Sequence, residues 1–196
     1  NKEYVLQLGS FTSDIRNTIW GVADKILYGV DGASFSGSNG LTGLSGFNLA
    51  SNNFTYIGGT GSDSLNLNIA RSSFLGSLNV STASGDDGIY SAKLINSDSI
   101  DLGSGNDTIY VMVNNVNSLS ATKLDGGAGI DTASYASATS AVTVNLATLT
   151  AQATGGAGSD ILATIENLTG SAFNDTLTGN GGDNTLDGGL GNDTLT

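Results

Sequence analysis

The last stretch of the chain, residues 170–196, reads GSAFNDTLT, GNGGDNTLD and GGLGNDTLT, which are three consecutive segments of nine residues. In each segment Gly stands first, Asp or Asn stands sixth and Leu stands eighth. A fixed short period indicates a repeat architecture, in which each copy is a small structural unit and stacked copies bury a shared core. The period therefore predicts an all-β solenoid built from tight turns and very short strands.

The same frame recurs upstream of these three copies. GGTGSDSLN (58–66) and GGAGSDILA (155–163) match it at every defined position. LGSGNDTIY (102–110) lacks only the first Gly, and GGAGIDTAS (126–134) places a small Ala133 at the apolar position. TASGDDGIY (82–90) is weaker and keeps Gly85 and Asp87. A flexible linker would have no reason to repeat an apolar residue two positions after the Asp, so the frames predict turns followed by strands with one buried face.

The frame supplies oxygen ligands. Glycines let a tight turn direct several backbone carbonyls toward one point, and Asp adds charge on a short side chain. Calcium takes six to eight oxygen ligands, whereas the chain has no His and no Cys for the usual sites of zinc, copper, haem or iron–sulfur clusters. The sequence therefore predicts several bound Ca²⁺ ions and no catalytic or organic-cofactor site. The candidate metal-site residues are Asp63, Asp87, Asp107, Asp131, Asp160, Asp175, Asp183 and Asp193, with Gly58, Gly59, Gly61, Gly103, Gly105, Gly126, Gly127, Gly129, Gly155, Gly156, Gly158, Gly179, Gly182, Gly188, Gly189 and Gly191.

The charge balance is strongly acidic. The chain has 18 acidic and 6 basic residues, a net charge of −12, and no Lys or Arg after Lys123. Such a chain repels itself, so we expect its folding to depend on bound cations. A nucleic-acid partner is excluded, because phosphate binding is driven by Lys and Arg.

Catalysis and membrane insertion are not expected. Without His or Cys, the Ser–His and Cys–His nucleophile systems are absent from this chain. The adjacent acids Asp86 and Asp87 lie inside a glycine frame, where calcium binding or solvent exposure explains them better than sugar hydrolysis does. No apolar run approaches the ~20 residues of a membrane-spanning helix.

The spacing of the frames predicts the shape of the solenoid over residues 56–196. The Asp residues at 63, 87, 107 and 131 are 24, 20 and 24 residues apart, which exceeds the 18 residues of two nonapeptides. We expect a broad coil with a calcium loop on one edge, narrowing to a regular roll near residue 196. Residues 133–153 are predicted to form an excursion between loops, after which Ile165 and Leu168 face the core.

Residues 1–55 carry no complete frame and are predicted to be an irregular β-solenoid or an N-terminal capping segment. Apolar residues in 14–28 are spaced almost as in a helix, whereas 26–30 alternates as in a strand. Trp20 and Tyr28 are interpreted as core or cap residues.

The frames at 58–66, 102–110, 126–134, 155–163 and 188–196 resemble those of the RTX (repeats-in-toxin) family of secreted bacterial proteins. The stretch from Gly155 through IENLTGSAFNDTLTG (165–179) is especially similar. The resemblance implies a parallel β-roll with calcium ions between turns, bound by loop Asp side chains and carbonyls. It also implies type I secretion and folding outside the cell, at an extracellular or cell-surface location. Both ends of the chain suggest a fragment of a larger protein.

Two functions remain open. The first is a structural module of a surface-layer (S-layer) protein or adhesin, with calcium, self-assembly or a cell-surface polysaccharide as partners. The second is the C-terminal calcium-dependent folding and secretion module of an enzyme, such as a protease, lipase or alginate epimerase, or of a toxin. Richness in Ser, Thr, Ala, Asn and Gly, together with few charged residues, favours the first.

Overall fold

The computed structural model describes residues 4–7, 25–28, 34–35, 54–57, 61–66, 78–91, 98–111 and 122–196. Every regular element in these ranges is a β-strand, which confirms the all-β prediction. None of the described residues forms a helix capable of crossing a membrane.

The strands form three sheets. The first contains, in spatial order, β1 (Tyr4–Gln7), β2 (Lys25–Tyr28), β4 (Phe54–Ile57), β6 (Leu78–Ser81), β8 (Ser99–Asp101), β10 (Thr122–Asp125), β14 (Gly158–Ala163) and β13 (Gln152–Gly155). The second contains β17 (Thr185–Asp187), β15 (Asn167–Thr169), β11 (Thr132–Ser134), β9 (Thr108–Val111), β7 (Gly88–Ser91), β5 (Ser64–Asn66) and β3 (Ser34–Phe35). The third contains β12 (Thr143–Asn145), β16 (Thr176–Thr178) and β18 (Thr194–Leu195).

From β2 to β11 the described strands alternate between the first and second sheets, and each pairs in parallel with the next strand of the same sheet. In the second sheet the register aligns Leu65 with Ile89, Ile89 with Ile109, and Ile109 with Ala133. These are the eighth residues of successive frames, so the apolar position of the frame forms one continuous column. The fold is thus the predicted parallel β-roll.

The core lies between the sheets. Strand β9 alternates partly exposed Thr108 and Tyr110 with buried Ile109 and Val111, as expected for a strand with one face on the core. Opposite, the first sheet aligns Ile100 with Leu124, and both side chains are 0% exposed. The predicted inward orientation of Ile165 and Leu168 is confirmed, because both are buried in the same core.

The coil changes at residues 135–166, a range that overlaps the predicted excursion at 133–153 and extends beyond it. The chain leaves the second sheet, forms β12 of the third sheet, and returns through β13, which pairs antiparallel with β14. After β15 the chain alternates between the third and second sheets with a period of 18 residues, as Asn167 aligns with Thr185 and Thr176 with Thr194. The broad coil therefore narrows to a regular roll, as its frame spacing predicted.

The frame at 155–163 has a different structure from the predicted turn and three-residue strand. Gly155 ends β13 and Gly158 begins β14, so the glycines form the tip of an antiparallel hairpin. Both have positive φ, at 70° and 102°, which a hairpin turn also requires of glycine. The sequence could not distinguish the two structures, because a hairpin tip and a stacked turn require the same glycine conformations.

Near the N-terminus, β1 and β2 extend the first sheet and β3 extends the second, all in parallel register. Residues 25–28 are a strand, which agrees with the strand alternative and not with the helix. The rest of the proposed helical stretch, Trp20 included, lies outside the described residues. The division of the chain at residue 55 stays a prediction.

Candidate metal centre

Turns rich in glycine stack on one edge of the roll. We call these turns the first turn column; each directly precedes a strand of the second sheet. Its described members are 61–63, 82–87, 102–107, 126–131, 164–166 and 179–184. Consecutive turns are joined by backbone hydrogen bonds, such as Ser104 N–H to the Ala83 carbonyl (3.1 Å) and Ala128 N–H to the Gly103 carbonyl (2.8 Å). The stacking brings frame residues from distant parts of the chain into adjacent positions.

Glycine is required in these turns by close backbone approach. Gly127 and Gly129 have φ of 92° and 147°, a region that residues with a Cβ rarely adopt. A Cβ atom at either position would also overlap the backbone carbonyl of the preceding turn, at Gly103 and Gly105 respectively. In the turns 102–107 and 126–131, two glycines each thus allow the turns to stack at the spacing of the strands.

The frame Asp residues form a single file along the first turn column. The backbone N–H of Asp63 donates to Asp87 Oδ1 (2.6 Å), and that of Asp87 donates to Asp107 Oδ1 (2.7 Å). The backbone N–H of Asp107 likewise donates to Asp131 Oδ1 (2.9 Å). Each of these four Asp residues is at least 97% buried, since their exposed fractions run from 0% to 3%. The predicted sites at 63, 87, 107 and 131 are therefore brought together by the fold.

The second oxygen of these carboxylates is the feature that points to a cation. Asp87 Oδ2, Asp107 Oδ2 and Asp131 Oδ2 are buried and have no hydrogen-bond partner in the described part of the chain. A buried, unpaired carboxylate oxygen is costly, and neutralisation by a bound metal or a proton relieves that cost. Oxygen donors of this kind fit calcium, so the residues present suit the ion that the frames predict.

The electrostatics of the metal-free column agree with this interpretation. Burial, together with the neighbouring charges of Asp87 and Asp131, raises the pKa of Asp107 to about 7. Burial also raises the pKa of Asp87 and of Asp131, against the hydrogen bonds that each carboxylate accepts. In the described part of the chain, no positively charged side chain lowers the pKa of these three carboxylates.

Calcium ligation here would combine few carboxylates with backbone carbonyls. Within the described ranges, no three Asp or Glu side chains converge on one point. Each ion would therefore be held by the Asp residues of adjacent turns and by turn carbonyls, as the glycines of the frames predict.

A second turn column lies where turns precede strands of the third sheet, at 170–175 and 188–193. Here Asp175 Oδ1 accepts from the backbone N–H of Val142 (2.8 Å), and the backbone N–H of Asp175 donates to Asp193 Oδ1 (2.8 Å). The hydroxyl of Ser171 adds contacts to both Asp175 oxygens. Asp175 and Asp193 thus repeat the pattern of the first turn column on a different edge.

The turn 179–184 differs from its neighbours because it carries Asn184 at the Asp position. Asn184 Oδ1 accepts from the backbone N–H of Asn180 (2.8 Å), and its amide donates to the Glu166 carbonyl (2.7 Å). The amide donor occupies a position where other turns have a carboxylate oxygen. Asp183, which precedes it, is exposed. The turn is therefore closed by hydrogen bonds and provides no buried carboxylate.

Asp160 lies apart from both turn columns, within strand β14 of the first sheet. Its Oδ2 accepts from the Tyr135 hydroxyl (3.3 Å) and the Thr154 hydroxyl (3.2 Å), and all three residues are buried. Burial raises the pKa of Asp160 to about 6, although these two hydrogen bonds lower it. Its Oδ1 is buried without a hydrogen-bond partner in the described ranges, as in the turns, whereas the hairpin separates it from the stacked turns. The role of Asp160 as a metal ligand stays a prediction.

Glu166 was not among the candidate residues, yet it lies in the first turn column. The backbone N–H of Asp131 donates to Glu166 Oε2 (2.8 Å), and β15 follows Glu166 directly. The sequence does contain a signal for Glu166. It stands two positions before the apolar Leu168, just as Asp63 stands two positions before Leu65. It was missed because no glycines precede it. Gly58 and Gly59, in contrast, were predicted and lie outside the described residues.

Comparison with known families identifies the repeats. A family model of the RTX calcium-binding nonapeptide repeat matches residues 96–111 and 163–195, in 4 copies. The matched residues include the frames at 102–110, 170–178 and 179–187, and exclude those at 126–134 and 155–163. No curated protein matches the chain. The resemblance predicted from the frames is therefore confirmed for these segments, and with it the calcium-binding character of the repeats.

Proposed function

We propose that this chain, which carries RTX calcium-binding nonapeptide repeats, is a structural module of a secreted bacterial cell-surface protein, either an S-layer protein or an adhesin. In this proposal calcium binding outside the cell folds and stiffens the roll. The observation that carries it is the buried carboxylates of Asp87, Asp107 and Asp131, whose Oδ2 atoms have no hydrogen-bond partner among the described residues. Bound calcium supplies the positive charge that these oxygens lack.

In the proposed site, the side chains and the backbone have different roles in calcium binding. Asp87, Asp107 and Asp131 hold carboxylates in the turns, and the backbone N–H of the preceding turn orients each of them. A Cβ added at Gly126 would overlap both the Thr164 carbonyl and Asp131 Oδ2, so a turn carbonyl lies near this carboxylate. Calcium affinity then couples to folding, because the ligands come from different turns and assemble only in the coiled chain.

The net charge of −12 supports a calcium-dependent switch between compartments. A chain with this charge and few counter-charges is expected to stay extended where free calcium is scarce, as in a cytosol, and to fold where it is abundant. This behaviour suits a protein that is exported unfolded and assembles at the cell surface. The roll itself has a repeated, rigid surface, which suits lattice or surface contacts.

Calcium titration followed by circular dichroism tests the folding step. We expect little β-sheet signal with a chelator and a cooperative gain on addition of calcium, with magnesium much less effective because it holds its waters and demands octahedral geometry. A spectrum that stays β-rich and unchanged in chelator would contradict calcium-dependent folding.

Electron microscopy of the purified chain, with and without calcium, tests the surface role. Ordered two-dimensional arrays or calcium-dependent binding to bacterial cells would support the S-layer or adhesin assignment. A catalytic domain encoded next to this segment, with a chain that stays monomeric at every calcium concentration, would favour the folding and secretion module of an enzyme.

A further inference from the structure

The connection between β14 and β15 is unusually short for the first turn column. Only residues 164–166 join these strands, whereas residues 126–131 join β10 to β11 one coil earlier. Thr164 has φ of 48°, a left-handed conformation that is uncommon for a residue other than glycine. The short turn marks the place where the broad coil gives way to the 18-residue roll.

The short turn nevertheless continues the stack. The Gly126 N–H donates to the Ala163 carbonyl (3.1 Å), and the Gly127 N–H donates to Thr164 Oγ1 (2.7 Å). The Thr164 hydroxyl in turn donates to Asp125 Oδ1 (2.5 Å). A Cβ at Gly126 would overlap the Thr164 carbonyl, so this carbonyl lies against the glycine turn. Thr164 therefore takes the place of the missing glycines.

Glu166 completes the file of carboxylates. It accepts the Asp131 backbone N–H (2.8 Å), as Asp131 accepts that of Asp107 (2.9 Å). The register also aligns the following strands, Thr132 with Asn167. The extra methylene of Glu allows its carboxylate to reach this position from a turn with three residues fewer.

An independent observation indicates that a ligand belongs between these two acids. Asp131 is 0% exposed, and its Oδ2 has no hydrogen-bond partner in the described part of the chain. Asp131 thus has the same unpartnered oxygen as Asp107, with a carboxylate of the next turn beside it in both cases.

We propose that Asp131 and Glu166 bind one calcium ion at the junction of the broad coil and the narrow roll, with the Thr164 carbonyl as a neighbouring oxygen donor. This junction site rests on the proposed calcium-binding function and adds to it a ligand outside the nonapeptide frame. Calcium suits the pair because it accepts mixed and irregular carboxylate ligation, including bidentate Glu. The ion joins the two parts of the roll, since Asp131 precedes β11 and Glu166 precedes β15.

Glu166→Gln is the sharpest test, because Gln retains an oxygen that accepts the Asp131 N–H and removes only the charge. Calcium stoichiometry is measured on the whole chain by isothermal titration calorimetry and by equilibrium dialysis. We expect the variant to bind one ion fewer per chain, whereas Asp187→Asn, which removes an exposed acid outside the candidate sites, leaves the number unchanged.

A second measurement separates loss of the site from loss of the fold. Hydrogen exchange in saturating calcium should show Glu166→Gln to be protected normally at the amides of β9 and to exchange faster in β15. Unchanged stoichiometry and unchanged exchange in Glu166→Gln would overturn the junction site. A parent chain that binds no calcium at all would instead refute the proposed function.

Discussion

The backbone N–H of Asp107 donates to Asp131 Oδ1 across a sequence separation of 24 residues, at 2.9 Å. One oxygen of Asp131 is thereby fixed by the preceding turn, and the other remains buried without a partner in the described ranges. In the same way, the backbone N–H of Asp87 donates to Asp107 Oδ1. In this row of Asp residues, the backbone N–H of one Asp thus fixes the carboxylate of the next. The stacked carboxylates together carry a negative charge that bound cations would neutralise.

Asp107→Asn should weaken the stabilisation of the folded state by calcium. The amide keeps an oxygen for the Asp87 N–H but removes one buried charge from the file. An ion present at a hundred times its dissociation constant stabilises the folded state by about 2.7 kcal/mol, so we expect a loss of about that size at high calcium. Urea unfolding at several calcium concentrations measures it, with the exposed Asp183→Asn as the matched control. Equal losses in the two variants would contradict a site at Asp107.

Metal-free protein should become less stable as pH rises. The folded-state pKa of Asp107 is about 7, above its ordinary value of 3.8, because of burial and neighbouring acids. The folded state therefore binds more protons than the unfolded state between about pH 4 and pH 7, and its stability falls across that window and then levels. The β-sheet signal in circular dichroism, recorded in chelator from about pH 7 down to about pH 4, measures the effect and should increase as the pH falls. Stability that rises with pH in chelator would contradict the buried, unpaired file. Saturating calcium should reverse the slope, since protons then compete with the ion.

Asp160→Ala should destabilise the hairpin without changing the number of bound ions. The substitution leaves the buried hydroxyls of Tyr135 and Thr154 without their carboxylate acceptor. Each unsatisfied buried group costs about 1–3 kcal/mol, so the two hydroxyls together should cost roughly 2–6 kcal/mol in the free energy of unfolding. Tyr135→Phe removes one of these hydrogen bonds and should cost less. Calorimetry that shows one ion fewer in Asp160→Asn would instead establish Asp160 as a ligand, as its frame suggested.

Gly129→Ala should disrupt the stacked turns even at saturating calcium. Gly129 has φ of 147°, and its added Cβ would overlap the Gly105 carbonyl. A left-handed conformation alone costs a non-glycine residue about 1–2 kcal/mol, and the backbone overlap adds to that cost. Gly181→Ala is the matched control, because a Cβ there has no atom within 4 Å. Thermal unfolding should show a large drop for Gly129→Ala and almost none for Gly181→Ala. Two similar curves would show that the turns do not stack this closely.

Much of the fold could be predicted because the repeat is local. Nine residues contain both the turn and the strand, and the alternation around Ile109 determines which side chain faces the core. The separations between Asp63, Asp87, Asp107 and Asp131 then gave the length of each coil, and the observed hydrogen bonds link these same residues. Residue types and frame spacing were sufficient to predict this part of the fold, because each coil contacts its immediate neighbours.

The frame was less informative where two structures need the same residues. GGAGSD at 155–160 forms a hairpin tip and a strand, because β13 returns antiparallel beside β14. Glu166 shows the converse, since it occupies an Asp position without any of the glycines. In both cases the pairing partner is distant in sequence, and the partner decides which edge of the roll a residue reaches.

The sequence by itself determined the repeating unit, the direction of the core-facing side chains and the oxygen-only ligand chemistry, since all three depend on residue types within nine positions. The tertiary structure alone decided which acids share an edge. It brought Glu166 within hydrogen-bonding distance of the Asp131 backbone N–H. It also placed Asp160 where its carboxylate accepts hydrogen bonds from the hydroxyls of Tyr135 and Thr154. The physical reason is that a carboxylate's environment depends on the coil stacked against it, and the excursion at 135–166 changes which coil that is.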